Sequence, residues 1–429
     1  MRVAVVGGGI SGLAAAYYLL KKGVEVELFE KDEGLGGIAA SLPFEGTFLD
    51  KFYRHIFFCD KYLLSLIYEI GLSDDLHWIE SRMGFYSNGD SYDFAGPIDL
   101  LKFKPLSVLD RIRFGVITLY LTVIRDWERL DKVTADKWLK SKMGIKGYET
   151  IWAPLLKAKF GESYTEVPLS WFWCKIQMRK SNRSKTLSNE RLGYLDGSFQ
   201  VLIDVLEEKI VSQGGVIHKS SPVTGLTVSQ NVAVGIEVSG KKYSFDRILS
   251  TLPLPELIKI LPDSKSDYKN KLSSIRHKAI IVLILKLKKQ LSPYYWLNIG
   301  DDKIPFNLLL EHTNFIDPGK YNGKHVLYIS NYTSKVDPLY SLGSEELLEK
   351  YIPHLMEVYP DFSVEDVEET LLFKNDFGTP VFTTSYREII PENQSPIENL
   401  FLASGEQIYP EDRGMSKSIE LVRKVIELM

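Results

Sequence analysis

Cysteine is nearly missing. Cys59 and Cys174 are the only two in 429 residues, and they form no Cys-x-x-Cys pair. A redox dithiol and a zinc knuckle are thereby excluded, and no metal site is expected. Two isolated thiols suit a reducing cytosol, where each reads as a small buried side chain. A basic surplus is missing as well: Lys+Arg number 52 and Asp+Glu 56, a formal net charge of -4. A general nucleic-acid binder would show the opposite balance, so no nucleic-acid partner is expected. No apolar run is long. Residues 114–124, FGVITLYLTVI, form the longest nearly uncharged stretch, about half of the ~20 residues that a membrane-spanning helix needs. Met1 and Arg2 lead straight into an apolar strand, so no secretory leader is expected. Internal repeats and low-complexity tracts are absent too. The expectation is a cytoplasmic globular protein, its length calling for two domains.

What is present begins at once, with MRVAVVGGGISGLAAAYYLLKKGVEVELFEKDEGLGG. Residues 2–6 read as a short apolar strand. Gly7, Gly9 and Gly12 follow as G-x-G-x-x-G. Residues 10–22 carry apolar side chains at helical spacing, Gly23 ends that helix, and 24–29 form a second strand closed by Glu30. Gly7 lets the chain turn out of the strand, Gly9 lets a pyrophosphate approach the backbone, and Gly12 lets helix and strand pack closely. The free N–H groups at Ile10 and Ser11 then face the phosphates at the positive end of the helix. Glu30, followed by Lys31, accepts hydrogen bonds from ribose hydroxyls. Strand, glycine turn, helix, second strand and acid stand in the order that a dinucleotide site requires.

Gly36 and Gly37 form a second turn soon after the acid. This resembles the flavoprotein family of amine oxidases, protoporphyrinogen oxidases and carotenoid desaturases, in which an acid at the end of the second strand precedes a Gly-Gly turn. The resemblance implies FAD rather than NAD. The family usually has Arg after the glycine pair, where this chain has Ile38. The resemblance continues through residues 193–261, which read as a loop, an amphipathic helix over 199–212, alternating strands at 216–218, 223–228, 233–238 and 241–245, and a buried strand over 247–251 stopped by Pro253. It implies that the backbone of Val223 holds the adenine and that Thr251 ends a strand near the cofactor. Near the C-terminus, Gly405 and Glu406 match a Gly-Glu turn that approaches the pyrophosphate and ribityl chain. Gly414, Met415 and Ser416 open the last helix, whose N-terminus would point at the flavin ring and stabilise negative charge there.

The implied fold is α/β. A Rossmann-like FAD-binding domain, a parallel sheet with helices, is assembled from 1–80, 190–270 and 395–429. An α+β substrate domain with a mixed sheet and a helical insert takes 81–189 and 275–394. No second G-x-G-x-x-G follows a strand, so no built-in NAD(P)H domain is expected. Electrons then arrive with a small-molecule substrate and leave to oxygen or a separate acceptor.

For chemistry, Tyr53, Arg54 and His55 form a polar cluster in FLDKFYRHIFFCD. Tyr53 and His55 are catalytic candidates, His55 as a flavin contact or proton carrier, with a structural histidine as the plain alternative. Arg413 is a candidate for an anionic substrate group or the flavin, its alternative a surface pair with Glu411 or Asp412. The run 105–130, with arginines at 111, 113 and 125, has two readings: a lipid-facing helix and the favoured one, a buried helix of a large domain. A hydrophobic substrate and a peripheral membrane contact therefore stay open. The aromatics of SWFWCKIQM either line a pocket or belong to the core. Two other functions stand beside the oxidoreductase: a flavin-dependent mutase, since YRHIFFCD resembles the matching segment of UDP-galactopyranose mutases, and a non-catalytic flavin-binding scaffold. The oligomeric state is not legible.

Overall fold

A computed structural model describes residues 1–182 and 190–429. The end of the segment expected over 81–189 therefore lies in part outside the described residues.

The strand Arg2–Val6 is central to a five-stranded parallel sheet. Its neighbours are Glu25–Phe29 and Arg247–Ser250, with Val216–His218 and Leu400–Leu402 at the edges. Val3 and Val5 face one apolar cluster, and Ala4 and Val6 face the other. Alternate residues of a strand point to opposite faces, so a central strand covered on both sides reads as an unbroken apolar run. The helix Ile10–Lys21 packs on the first face through Leu13, Ala14, Ala15 and Ala16, all fully buried. The helices Gln200–Ser212 and Met415–Ile426 pack beside it.

The block after residue 193 matches its periodicity closely. The helix Gln200–Ser212 leads to Val216–His218, and Val223–Ser229, Val232–Val238 and Lys241–Ser244 form an antiparallel meander. The second body of the chain holds a seven-stranded mixed sheet around His277–Leu287, flanked by Val367–Pro380 and His325–Thr333. It is mixed because Trp296–Ile299 pairs in parallel with Met83–Ser87.

One expectation is overturned. The helix Val108–Val123 is not a core helix: of its side chains only Phe114 and Leu121 are buried. Val108, Leu109, Ile112, Val116, Leu119, Tyr120 and Val123 are each more than half exposed. The preceding short helix, Pro97–Lys102, also exposes Ile98 and Leu101. The long helix touches the rest of the chain along a narrow edge, chiefly against Leu169–Asn182. Apolar periodicity records which side chains are greasy, not whether a second layer covers them.

Candidate functional site

The glycine turn is closed by contacts that leave no room for side chains. Gly7 has φ +105°, and a Cβ on Gly12 would lie 1.8 Å from the Gly7 carbonyl oxygen. The Thr251 hydroxyl, from the neighbouring strand end, donates to the carbonyls of Val6 (3.0 Å) and Gly7 (3.2 Å). Thr251 thus braces the turn. At Gly9 the situation reverses, since a Cβ would meet nothing nearer than 3.9 Å. Gly9 caps the helix with no side chain, so the N–H groups at Ile10 and Ser11 face open space.

Glu30 is 8% exposed and folds back over this turn. One carboxylate oxygen accepts from the Gly8 N–H (2.7 Å) and the other from the Asp32 N–H (2.9 Å). The Gly36 N–H donates to the Gly8 carbonyl (2.8 Å), which lays the Gly36–Gly37 turn across the first. Lys31 points outward and pairs with Asp32 at 2.9 Å. The Ser221 N–H donates to the Glu30 carbonyl (2.7 Å), so the chain enters the Val223 strand beside the Glu30 end. A bare cradle over Gly9, an uncapped helix end and an adjacent acid fit the diphosphate and ribose of FAD.

The other wall comes from the C-terminal segment. Gly405 and Glu406 lie in the short helix Gly405–Gln407. The Glu406 carboxylate is buried and accepts from Leu254 N–H (3.1 Å), the Ser404 hydroxyl and His277 Nε2 (2.8 Å). Burial opposes its charge, but the His277 contact outweighs this and holds its pKa below the usual carboxylate value. Gly414 caps the last helix, Met415 begins it, and the Ser416 hydroxyl oxygen accepts from Leu63 N–H (3.4 Å).

Tyr53, Arg54 and His55 lie between the walls. The Tyr53 hydroxyl bonds Ser330 (3.2 Å), and burial pushes its phenol far up. His55 Nδ1 bonds the Tyr295 hydroxyl (3.1 Å), and its ring meets Phe57 and Trp296 edge-on. Arg413 makes neither of the surface pairs that its neighbours suggest. It donates to the Gly378 carbonyl, Glu411 pairs with Lys417, and Asp412 binds Lys159 and Lys175. Trp171 of the aromatic segment donates its indole N–H to Asp412 (2.8 Å).

Burial holds the His55 ring down to about 4, against ~6.5 for a free histidine. The folded state therefore favours the neutral ring. Its stabilising contribution is complete above pH ~6.5 and is lost as pH falls through about 4, up to about 3 kcal/mol. His55→Gln, which can still bond Tyr295, should flatten the fall in urea stability over that window. His312, held to about 3 by burial, titrates nearby, so the variant-minus-wild-type difference is the measurement. An identical slope in the two proteins would refute the assignment.

Sequence reasoning named Arg54 without a role and passed over Asp50, Lys159, Lys175 and His277. Nothing in their local patterns marks them, because each acquires its partner from a distant segment. Two cavities, of about 500 and 470 Å³, lie elsewhere: one is lined by His77, Tyr194 and Phe315, the other by Lys140, Tyr148 and Asp301. None of the glycine-turn residues lines either.

A family model described as "Flavin containing amine oxidoreductase" matches residues 10–410. A 4,4'-diapolycopen-4-al dehydrogenase of Metabacillus indicus is 25% identical over 63% of this chain and 59% of its own length. The chain thus spans about six-tenths of that relative. A zeta-carotene desaturase of Zea mays is 22% identical over 94% of this chain and 79% of its own. Among solved structures, an oxidoreductase from Methanosarcina mazei superposes with TM-score 0.75 at 20% identity, over 100% of both chains. A reduced UDP-galactopyranose mutase superposes with TM-score 0.75 at 16% identity, over 100% of this chain and 96% of that one. At such identities these two likenesses establish the fold alone.

Proposed function

Because the chain belongs to the flavin containing amine oxidoreductase family, we propose that it is an FAD-dependent oxidoreductase acting on a C–H bond of a small, largely apolar molecule. The observation that carries this reading is the open, uncapped helix end at Gly9 and Ile10, bordered by Glu30 and roofed by Gly36 and Gly37. In this reading Gly7, Gly9, Ile10, Ser11 and Gly12 receive the pyrophosphate, and Glu30, Lys31 and Val223 border the adenosine. Thr251, Gly405 and Glu406 shape the wall beside the ribityl chain. Gly414, Met415 and Ser416 present the last helix to the ring. When bound at these residues, FAD would supply a hydride acceptor for the substrate C–H bond, with oxygen or a separate acceptor taking the electrons.

The chain's own residues orient the substrate and exclude water more than they exchange protons. A general base works best with a pKa near the working pH. Burial keeps the His55 ring neutral and weakly basic, and it drives the Tyr53 phenol the other way. His55 and Tyr53 therefore hold protons in an aromatic box with Trp296 and Tyr295. The division into segments 1–80, 190–270 and 395–429 for the cofactor, and 81–189 and 275–394 for the substrate, is part of this proposal.

Anaerobic titration tests the reading. The purified protein should be yellow, and its flavin absorbance should bleach with one donor among a polyene, a porphyrinogen and an amine. A protein that stays colourless after reconstitution with FAD would overturn it.

We further propose that the substrate is reached from a bilayer surface. No helix among the described residues is long and apolar enough to cross a membrane. The exposed apolar face of Pro97–Lys102 and Val108–Val123 instead has the character of a helix pair lying in an interface. Lys102, Lys104, Arg111, Arg113 and Arg125 surround it in a chain of net charge -4. Asp99 accepts from the Ala95 and Gly96 N–H groups, and Asp110 accepts from Ser107 and pairs with Arg113 at 3.7 Å, so Lys102, Lys104, Arg111 and Arg125 carry the surplus. That charge complements anionic headgroups. The full chain should float with vesicles of equal phosphatidylcholine and phosphatidylglycerol. Val116→Ser/Leu119→Ser/Val123→Ser should weaken this tenfold or more, and high salt should weaken it too. Equal flotation of variant and wild type would sink the surface.

A further inference from the structure

We propose that Arg54 and Arg413 together form a receptor for an oxyanion, a carboxylate or phosphate carried by the substrate. The inference rests on the flavin reading for its location and deepens it by naming one chemical feature of the substrate.

Arg54 and Arg413 come from distant segments of the chain, and the Tyr332 phenol lies within electrostatic reach of both. The Arg54 guanidinium donates through Nη2 to the Ile38 carbonyl, next to the Gly36–Gly37 turn. Its Nε is buried and has no hydrogen-bond partner among the described residues. Arg413 comes from the opposite side, just before the last helix, and donates through Nη2 to the Gly378 carbonyl. Its side chain also lies over Gly405, where a Cβ would stand 3.6 Å from the Arg413 Cδ.

Neither arginine makes an ion pair among the described residues. The acids nearby are engaged elsewhere. Asp50 accepts from Ser41 (2.9 Å) and Tyr194 (2.7 Å). Asp412 is held by Lys159, Lys175 and Trp171. Glu406 is held by His277, Ser404 and Leu254. Burial lowers both guanidinium pKa values; Asp50 opposes this at Arg54 while the Arg413 charge adds to it, and Tyr332, Glu406 and Asp412 oppose it at Arg413, but neither returns to its ordinary value.

Like charges brought together out of water are unfavourable unless an anion joins them. A guanidinium has five N–H donors, and two of them match a carboxylate or phosphate edge in parallel. Each arginine here has one donor to a carbonyl and the rest for a ligand. A purely hydrocarbon substrate would leave this charge unanswered. An amphiphile with an anionic head and an apolar body would satisfy both this site and the exposed apolar helices.

The test uses the full-length, FAD-loaded, oxidised protein. Benzoate, inorganic phosphate and the neutral isostere benzamide are titrated while the flavin difference spectrum is followed. The thermal midpoint is recorded in parallel. We expect saturable perturbation and a raised midpoint with at least one oxyanion and none with benzamide. Response to benzoate alone identifies a carboxylate, and response to phosphate alone a phosphate. Arg54→Gln and Arg413→Gln should each weaken the response tenfold or more at unchanged FAD content, while Arg129→Gln, at an exposed pair with Asp126, should not. Absence of any oxyanion effect, or titration of both Gln variants like wild type, overturns the proposal. So does loss of FAD in the variants without an anion effect in wild type, which assigns the guanidiniums to the cofactor. If the protein takes up no FAD, the flavin reading fails by itself, and the thermal midpoint still decides the anion site.

Discussion

Gly12→Ala should purify colourless, with less than a tenth of the wild-type FAD content. The added methyl would lie 1.8 Å from the Gly7 carbonyl oxygen and 3.0 Å from its carbon. Both are backbone atoms of the strand end, and the same carbonyl accepts from Thr251. No rotamer change relieves such a contact. The helix must lift from the sheet, which displaces the Ile10 and Ser11 N–H groups from the cradle. Overpacking alone costs about 1–3 kcal/mol, and loss of the phosphate contacts adds to it. Gly34→Ala in the same loop is the control, since a Cβ there meets nothing within 4 Å. Flavin absorbance per mole of protein and the urea midpoint are the measurements. A Gly12→Ala protein as yellow as wild type would remove the glycine turn from the cofactor site.

Asp412→Asn should cost about 2–3 kcal/mol of stability, less than the about 3–5 kcal/mol for a fully buried pair, because the Asp412 and Lys175 side chains are 17% and 31% exposed. Asp412 joins three side chains from the second body to the C-terminal segment. It accepts from Lys159 (2.6 Å) on the helix Ala153–Phe160, and from Lys175 and Trp171 (2.8 Å) on Leu169–Asn182. Burial opposes the carboxylate's charge, yet the two lysines hold its pKa far below the usual range. Burial already pulls Lys175 down. Without Asp412 that pull is unopposed, and the folded variant favours neutral lysine. A lysine whose folded pKa is depressed costs stability where it must be charged, so the variant should regain stability as pH rises above neutrality. Asp412→Asn/Lys175→Met should recover part of the loss at neutral pH. Urea denaturation of the three proteins over neutral to alkaline pH checks this. A loss independent of pH, with no recovery in the double variant, would refute the ion-pair account.

The two substitutions lie at opposite ends of what can be read from the chain. The glycine turn is written in consecutive residues. Strand, bend, helix and acid are local events, each set by side-chain alternation, by a missing Cβ or by helical spacing. For that reason the bounds of Arg2–Val6 and Val216–His218 come out as the pattern predicts, and Ile10–Lys21 and Gln200–Ser212 come out within a residue. Order along the chain also carries the family resemblance, since its motifs are short and ordered.

Asp412 shows what order along the chain does not carry. Its partners Lys159, Lys175 and Trp171 come from far upstream, and nothing local marks them. The same holds for Glu406, which a Gly-Glu motif directs toward a cofactor but which His277 engages from a distant segment. Arg413, for which a surface pair with Glu411 or Asp412 was the alternative reading, donates to the Gly378 carbonyl. An ionised side chain takes the partner that the packed chain brings within reach, and sequence spacing says little about which one that is. The helix Val108–Val123 makes the complementary point: its apolar periodicity is plain, yet no layer of the described residues lies over it. By itself the sequence determined the cofactor fingerprint and the bounds of the elements around it, because these follow from local backbone sterics and side-chain alternation, and through the family resemblance it gave the α/β class. Only the tertiary structure decided which charges are paired, which arginines stand without an ion pair and which apolar face meets solvent, because those depend on distances between segments far apart in the chain.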